Sequence, residues 1–524
     1  MIRFPGSPSG SSATRHAARY AFAALAAVAL AGCTVGPNFH PPAAPPQANY
    51  LATGPLTSTS AAAGAANGQA QRFVRGAELQ RDWYRLYHNA ALNHLIDEAL
   101  AANPTRAAAE QRLAAARDAV RVMFGGRYPS LSGSAGASRQ RLTGIPLGLA
   151  NPEFSNTFNL FDLQLTAAYN LDIFGELTRR IENQQALEAA AHARVLDTTA
   201  TLVDNVVATA LAEAAARTTL HGLREIIDQQ RQTLALVKTQ ERLGTALQSA
   251  VLQAQTQLAN TEALIPDLEQ QISVARHRMA ILTGLPPSDY HGPEFVLDDF
   301  ALPQDLPLTL PARLVDQRPD VLMARDLLHA ASAEVGVATA EQLPQLQITA
   351  GYGRDALKIS TFNSPPAKQF NLGIGLLAPI FEGGSLRANK QRAVDNYNAA
   401  AEDYRATVLN AFDQVADAMR ALQHDATRLA ARHRARQAAE ATAQLVLAQF
   451  RAGAADQLAN RAAQVDLRRA EISYADARLA RLVDTATLMR ALGGGWWPKA
   501  DEPPPEGLTT TPLAQPIPIK TPSP

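Results

Sequence analysis

Four short segments alternate apolar and polar residues with a period of two, which predicts four β-strands. The residues between the apolar ones are small or polar and mostly uncharged, so each strand would carry one apolar and one polar face. Glycine or proline residues lie between the first and second segments and between the third and fourth, as in hairpin loops. The alternating series are Leu131, Gly133, Ala135 and Ala137; Phe161, Leu163, Leu165, Ala167 and Tyr169; Leu346, Ile348, Ala350 and Tyr352; and Phe370, Leu372, Ile374 and Leu376.

Two other segments lack proline and predict very long helices. Residues 177–242 contain one glycine, Gly222, and residues 386–451 contain none. At a rise of 1.5 Å per residue, a helix of this size would be about 100 Å long, and a single globular core could not contain it. The second segment carries an apolar stripe with the alternating spacings of four and three that are typical of coiled coils. That stripe consists of Val408, Phe412, Val415, Met419 and Leu422.

The strands and long helices belong to a tandem duplication. Asn103 and Pro104 are a typical N-cap and first residue of a helix, and Pro319 repeats the start 215 residues later. Each half is predicted to run as helix, hairpin, long helix, tip and returning helix. The tips have Gly244 and Gly453 just after the long helices, and glycine is the usual residue at that position.

Four strands cannot form a closed sheet, because membrane barrels start at about eight. A sheet in lipid must close, since an open edge leaves backbone groups without partners. Three chains would supply twelve strands and leave room for a passage. The alternative is a half-buried sheet of a soluble sandwich. The small number of strands in so long a chain and their position between helices weigh against that alternative.

The N-terminus predicts a processed lipoprotein. Three arginines precede the apolar run 20–30, which is too short to span a bilayer as a helix. The run leads into Leu30–Cys33, which looks like a bacterial lipobox, so we expect cleavage before Cys33 and its acylation, for example with palmitate. Cys33 is the only cysteine of the chain and has no intrachain disulfide partner. An ordinary signal peptide with a chance cysteine is the alternative.

Composition and motif content argue against several functions and identify no reactive site. The 524 residues carry no formal net charge, so bulk charge does not favour nucleic acid. The His-Glu-x-x-His zinc pattern, the Gly-x-Gly-x-x-Gly pattern and any Gly-Lys dipeptide are all missing from the sequence. The 11 histidines are scattered. We therefore predict no enzyme activity, no catalytic or metal residues and no cofactor.

Several motifs stand in a family-specific order. Tyr169–Gly175 and Pro379–Ala388 lie where a strand is predicted to meet a long helix, and Asp82–Tyr84, Asn93–Ile96 and Ala491–Trp496 flank the two halves. The ordered set resembles the TolC-like outer membrane factor family, in particular the lipoprotein branch of efflux-pump outer membrane channels. The resemblance covers nearly all of the mature chain.

The resemblance implies a fold class and partners. The fold class is a mixed one, a membrane β-barrel plus a long α-helical barrel, with an internal repeat and twelve strands from three protomers. The implied partners are two further copies, outer-membrane lipid, a periplasmic adaptor (membrane fusion) protein and an inner-membrane pump. The expected segments are 1–32 (signal peptide), 33–70 (lipidated tether), 71–102 (N-terminal equatorial segment), 103–287 (first repeat), 288–317 (equatorial linker), 318–497 (second repeat) and 498–524 (proline-rich tail).

The resemblance also assigns candidate sites. Adaptors of the family meet the periplasmic helix tips, which are Arg242 with Gly244 and Arg451 with Gly453 here. Closed family members often have acidic residues shortly after the second tip glycine, but Ala459 and Ala462 occupy those positions in this chain. The nearest charged candidates for a gate are Asp456 and Arg461, and exposed helix charges are the alternative interpretation.

The expected function is a passive, lipid-anchored duct of the cell outer membrane that exports small toxic compounds, either drugs or metals. Two alternatives stay open. One is an outer-membrane duct for protein secretion, and the other is a periplasm-spanning coiled-coil lipoprotein without a conduit, which would leave the four strands unexplained.

Overall fold

A computed structural model describes residues 34–43, 46–47, 49–143 and 155–496. The predicted signal peptide, Cys33, the first hairpin loop (144–154) and the proline-rich tail lie outside the described residues. In chain order the elements are β1 (Arg72–Arg75), α1 (Ala90–Ala102), α2 (Pro104–Gly125), β2 (Ser130–Thr143), β3 (Ser155–Leu171), α3 (Glu176–Arg242), α4 (Gln248–Glu262), α5 (Ile265–Leu282), β4 (Asp305–Leu308), α6 (Pro311–Gln317), α7 (Pro319–Ala340), β5 (Gln345–Ala356), β6 (Lys368–Leu377), α8 (Ser385–Arg451) and α9 (Gln457–Ala491).

The helix boundaries follow the local chemistry of the sequence. The side-chain Oδ1 of Asn103 accepts hydrogen bonds from the amides of Thr105 and Arg106 at 2.9 and 3.0 Å, which caps α2. The long helices α3 and α8 have 67 residues each. The returning chain of the first half is interrupted next to Pro266, which lacks an amide hydrogen and cannot continue a regular helix. The predicted order of elements in both halves is confirmed.

The strands β2, β3, β5 and β6 form one antiparallel sheet in the order β2-β3-β5-β6. Its register brings the apolar positions of all four strands into the same rows, so the two hairpins share one apolar face. Two such rows are Leu131, Ala167, Ala350 and Leu372, and Gly133, Leu165, Tyr352 and Phe370. The rows between them are polar or small, for example Ser132, Thr166, Gly351 and Asn371.

The chain divides into two compact units that do not coincide with the two repeats. The first unit contains the described residues within 34–41, 115–189 and 325–403, and therefore the four-stranded sheet. The second unit contains the described residues within 42–114, 190–324 and 404–496, and therefore both helix tips and the small parallel sheet of β1 and β4. Both long helices continue from the first unit into the second.

The apolar stripes of the long helices are largely buried in the second unit. Val408, Val415, Met419 and Leu422 of α8 are at most 5% exposed, as the coiled-coil spacing predicts. In α3, Val203 and Val206 are fully buried. By length and composition α3 could cross a membrane, but half of its most apolar window is buried within the protein. Packing between helices accounts for that apolarity.

The fold class is confirmed for the single chain, which combines a tandem repeat, four strands and long helices. Closure of the sheet and of the helices concerns several copies and is treated below. The predicted segment boundaries stay predictions.

Candidate functional site

One face of the four-stranded sheet is apolar and open to the surroundings. Leu131, Phe370 and Leu372 are 74%, 84% and 76% exposed, and Leu165 and Tyr352 are about half exposed. Soluble monomers rarely expose a contiguous apolar patch of this kind, because its contact with water is unfavourable. The face is suited to contact with lipid hydrocarbon.

The opposite face of the sheet is polar. Its larger side chains are mostly serine, threonine, glutamine and asparagine, and Asp162 and Asp355 lie opposite each other in one row. The side-chain amide of Gln347 donates to Oδ1 of Asn170 on the neighbouring strand at 2.9 Å. Such a face is suited to a water-filled lumen. Within the part of the chain that the structure describes, β2 and β6 each pair on one side only, so both edges of the sheet are free.

A basic pair limits the apolar face at one end. Arg354 and Lys368 lie opposite each other on β5 and β6, in the same row as Leu163. The guanidinium of Arg354 donates to Oδ1 of Asn363 at 2.9 Å in the loop beyond the strands. Cations at the end of an apolar band are typical of the boundary between hydrocarbon and lipid headgroups.

The motif Tyr169–Gly175 shapes the turn from β3 into α3. The carboxylate of Asp172 accepts bonds from the amides of Leu177 and Thr178 at 2.9 and 2.8 Å, and it also accepts from the Thr178 hydroxyl. These bonds satisfy amides at the start of the helix that have no intrahelical partner. Gly175 has a φ of +78°, which favours glycine. The motif therefore connects a strand tightly to a long helix.

The first residues after Cys33 are held at this turn. The amide of Val35 donates to the carbonyl of Phe174 at 3.1 Å, and the buried Arg179 donates to the Val35 carbonyl at 3.1 Å and to Oδ1 of Asn38 at 2.8 Å. Phe39 stacks on His329 with ring centroids 4.3 Å apart. Composition predicts an extended tether from residue 33 to residue 70, but its described start is fixed by these contacts. No local sequence pattern predicts that Arg179 binds the residues that follow Cys33.

The two helix tips have nearly the same backbone. Gly244 and Gly453 have φ values of +72° and +76°, and an added Cβ would meet nothing within 4 Å at either position. The predicted adaptor residues Arg242 and Arg451 are exposed at the ends of α3 and α8. The structure thus places each predicted arginine and glycine at an accessible turn. This position is compatible both with helix capping and with contact to an adaptor.

The candidate gate residues have bonds within the chain. Oδ1 of Asp456 accepts from the amide of Ala459 at 2.6 Å and caps α9. The guanidinium of Arg461 donates to Oε1 of Gln229 and to Oε1 of Gln232 on α3. Asp456 therefore caps a helix, and Arg461 joins α9 to α3.

A buried arginine joins α9 to the N-terminal loop in the second unit. Arg481 is fully buried and donates to the carbonyls of Asn67 and Gln69 at 2.9 and 2.7 Å, to Oγ1 of Thr59 at 2.9 Å and to Oε1 of Gln71 at 3.1 Å. Burial lowers the pKa of this guanidinium to about 10. No local sequence pattern distinguishes Arg481 from the other arginines of α9.

A second buried arginine fixes the start of α7. Arg318 pairs with Asp320 at 2.8 Å and donates to the carbonyl of Ala491 at 2.8 Å, at the end of α9.

Among the described residues, no group of three or more histidine, cysteine, aspartate or glutamate side chains could hold a metal ion.

Comparison with known proteins agrees with this architecture. The profile of a family described as "Outer membrane efflux protein" matches residues 95–285 and 310–494. The pyoverdine export outer membrane protein OpmQ of Pseudomonas aeruginosa is 30% identical over 422 residues, which cover 79% of this chain and 88% of OpmQ. The cation efflux system protein CusC of Escherichia coli is 27% identical over 476 residues, or 90% of this chain and 97% of CusC. The solved outer-membrane channel OprN is 27% identical, with a TM-score of 0.77, and the match covers 89% of this chain and all of that one.

Proposed function

The chain belongs to the outer membrane efflux protein family, and from this premise we propose that three copies of it close a passive efflux duct across the outer membrane. The observation that carries the proposal is the four-stranded sheet with one exposed apolar face and two free edges. Lipid would cover the apolar face, and the polar rows would line the passage.

The free edges require further copies. Each unpaired backbone group in hydrocarbon costs several kcal/mol, so β2 of one copy must pair with β6 of the next. Two copies would give eight strands, and a barrel of that size is filled by its own side chains. Three copies give twelve strands and an open lumen. The implied homotrimer is therefore the smallest assembly that both closes the sheet and conducts.

The proposed cargo is a class of small toxic compounds, either drugs or metals. By their names, OpmQ exports pyoverdine and CusC belongs to a cation efflux system. These names favour efflux of small compounds over secretion of proteins, and the transmembrane sheet disfavours a coiled-coil lipoprotein without a conduit. The duct itself needs no catalysis, because an inner-membrane pump would supply the energy.

The proposed pump partners meet this chain at the helix tips. Arg242 with Gly244 and Arg451 with Gly453 are exposed turns to which a periplasmic adaptor can bind. Asp456 and Arg461 remain the candidates for a charged gate beside the second tip. Opening at this gate would have to break the bonds of Arg461 to Gln229 and Gln232.

We further propose that the mature chain is anchored by lipid at Cys33. The docked residues Thr34–Phe39 support this, because they hold the start of the described chain next to the end of a strand with a lipid-suited face. Mass spectrometry of the N-terminal peptide should show an acylated Cys33. An unmodified cysteine there would refute the anchor.

Export is tested by complementation. A strain of the source bacterium without this gene should become more sensitive to at least one of a panel of dyes, antibiotics and metal salts. The wild-type gene should raise the growth-inhibiting concentration at least fourfold above that of the strain without the gene. No change across the panel, with the protein present in the outer membrane, would contradict the efflux proposal.

A further inference from the structure

The charged residues of the four sheet strands are separated by face. The strands β2, β3, β5 and β6 contain four basic residues, which are Arg139, Arg141, Arg354 and Lys368, and two acidic residues, which are Asp162 and Asp355. The pairing register is unbroken, so the alternation of each strand continues to these positions. Every basic residue therefore falls on the apolar face, and both acidic residues fall on the polar face.

The basic residues lie in the half of the sheet that is distant from the helices. The helices α2, α3, α7 and α8 join the strands at the end that contains Leu171 and Leu346. Arg354 stands eight residues beyond Leu346 on β5, which is about 27 Å along the strand at about 3.4 Å per residue. With the usual strand tilt of about 35–45° the height is about 20 Å, close to the apolar band of about 25 Å in outer-membrane barrels. The cations thus begin where the outer edge of the hydrocarbon would lie.

The four basic side chains, which we call the basic cluster, are accessible. Arg139, Arg141 and Lys368 are exposed, and Arg354 is partly exposed. The guanidinium of Arg354 donates to the carbonyl of Phe362 at 3.2 Å and to Oδ1 of Asn363 at 2.9 Å. Both acceptors are neutral, so these bonds orient the guanidinium without cancelling its charge. A group of like charges on one face favours a bound anion, because the charges repel each other.

Apolar side chains adjoin the basic cluster. Leu163 shares a row with Arg354 and Lys368. Phe370 follows Lys368 by two residues on β6 and is 84% exposed. A soluble anion such as free phosphate would leave these apolar rows uncovered. A lipid with an anionic headgroup would cover both, with its acyl chains on the apolar rows and its headgroup at the cations.

The basic cluster consists of two pairs that are separated across the sheet. Arg354 and Lys368 are direct cross-strand neighbours, and Arg139 and Arg141 lie two strands away on β2. Ala135 shares the row of Arg354, and Arg139 is four residues beyond it. Strand spacing of about 4.8 Å and a rise of about 3.4 Å per residue place the Cα atoms of Arg139 and Arg354 about 17 Å apart. Two separated pairs of cations fit a large headgroup with more than one phosphate.

We propose that the basic cluster binds the phosphates of lipopolysaccharide, the glycolipid of the outer leaflet, whose disaccharide carries a phosphate at each end. Guanidinium and ammonium groups both form strong charge-assisted hydrogen bonds with phosphate oxygens. The acyl chains of the same lipid would pack on the exposed rows beside Leu163 and Phe370. This inference rests on the proposed function, which sets the sheet in the outer membrane, and adds a specific lipid ligand to it.

The test measures lipid binding to the purified full-length protein by native mass spectrometry in detergent. The probes are diphosphoryl lipid A, monophosphoryl lipid A and phosphatidylglycerol. The wild type should bind diphosphoryl lipid A at least about fivefold more tightly than either of the other two, because only this probe has two phosphates for the two pairs of cations. An excess of inorganic phosphate should leave most of the lipid A bound, because phosphate has no acyl chains.

Variants of the basic cluster separate charge from folding. Arg354→Gln with Lys368→Gln should weaken binding of diphosphoryl lipid A at least about fivefold, whereas Arg354→Lys with Lys368→Arg keeps both charges and should retain it. The matched control is Arg121→Gln with Arg469→Gln, which removes two charges from exposed helical positions and should bind as the wild type. The trimer mass reports in the same spectra whether each variant is assembled.

Three results would overturn the inference. They are equal binding by the wild type and the glutamine double variant, equal affinity for lipid A and phosphatidylglycerol, and complete displacement of lipid A by inorganic phosphate. The second result would indicate a general headgroup boundary, and the third a site for free phosphate. Failure of the wild-type gene to restore any resistance would instead count against the proposed function, because the lipid measurement does not depend on export.

Discussion

In the second unit, single buried arginines hold helices and loops together through hydrogen bonds. Arg481 satisfies two carbonyls and two side-chain oxygens of residues 59–71, none of which is near it in sequence. No periodicity or motif predicts such contacts, because they depend on which distant segment folds against the helix. The same holds for Arg179 and the residues after Cys33.

Replacement of Arg481 by methionine should destabilise the protein by about 3 kcal/mol, because two buried side-chain oxygens and two partly buried carbonyls lose a donor. Chemical unfolding of the detergent-solubilised protein measures this loss. Limited proteolysis should also cut residues 59–71 more rapidly. Arg469→Met is the control, since Arg469 is half exposed and its carboxylate partner is 3.8 Å away. Equal stability of the two variants would show that the buried bonds are not important.

A buried carboxyl group nearby should make stability depend on pH. Burial and the neighbouring carboxyl of Asp484 raise the pKa of Asp425 to about 7, while Arg428 and Arg481 oppose the shift. Between pH 3.8 and about 7 the folded protein thus holds a proton that the unfolded chain has lost. This contribution to stability is present at acidic pH and disappears as the pH rises through about 7.

The Asp425→Asn variant isolates this effect, because asparagine is of similar size and does not titrate. Melting temperatures of both proteins should be measured from pH 4 to pH 8. The wild type should lose stability relative to the variant as the pH rises, with no further relative loss above about pH 7. A constant difference over the whole range would contradict the raised pKa.

At the scale of elements, local patterns predict much of the fold. Period-two alternation gives the faces of β2, β3, β5 and β6, because strand geometry converts sequence spacing directly into direction. The absence of proline gives the long helices to within one residue. The strand order and the division into two units depend on long-range packing, which local patterns do not encode.

Neighbouring residues of β3 test the assignment of the two faces. Leu165→Arg places a charge on the apolar face and should cost about 2–4 kcal/mol if that face meets lipid. Thr166→Arg places the same charge on the polar face, where water can solvate it, and should cost clearly less than Leu165→Arg. Chemical unfolding in lipid vesicles gives both values. The opposite order would exchange the lipid-facing and lumen-facing sides of the sheet.

At the scale of the whole molecule, the free strand edges and the apolar face make the single chain incomplete. The resemblance to a known family implies an assembly of several chains. The four-stranded sheet gives the physical reason, because it cannot close within one chain. Export depends on that assembly, since a single chain has no lumen.

Native mass spectrometry of the detergent-solubilised protein tests this closure most directly. The account predicts one dominant species with the mass of three mature chains, which dissociates only when the β-sheet signal is lost. A folded monomer that retains its β-sheet signal, or a dominant assembly of two chains, would contradict the proposal that three copies form the duct.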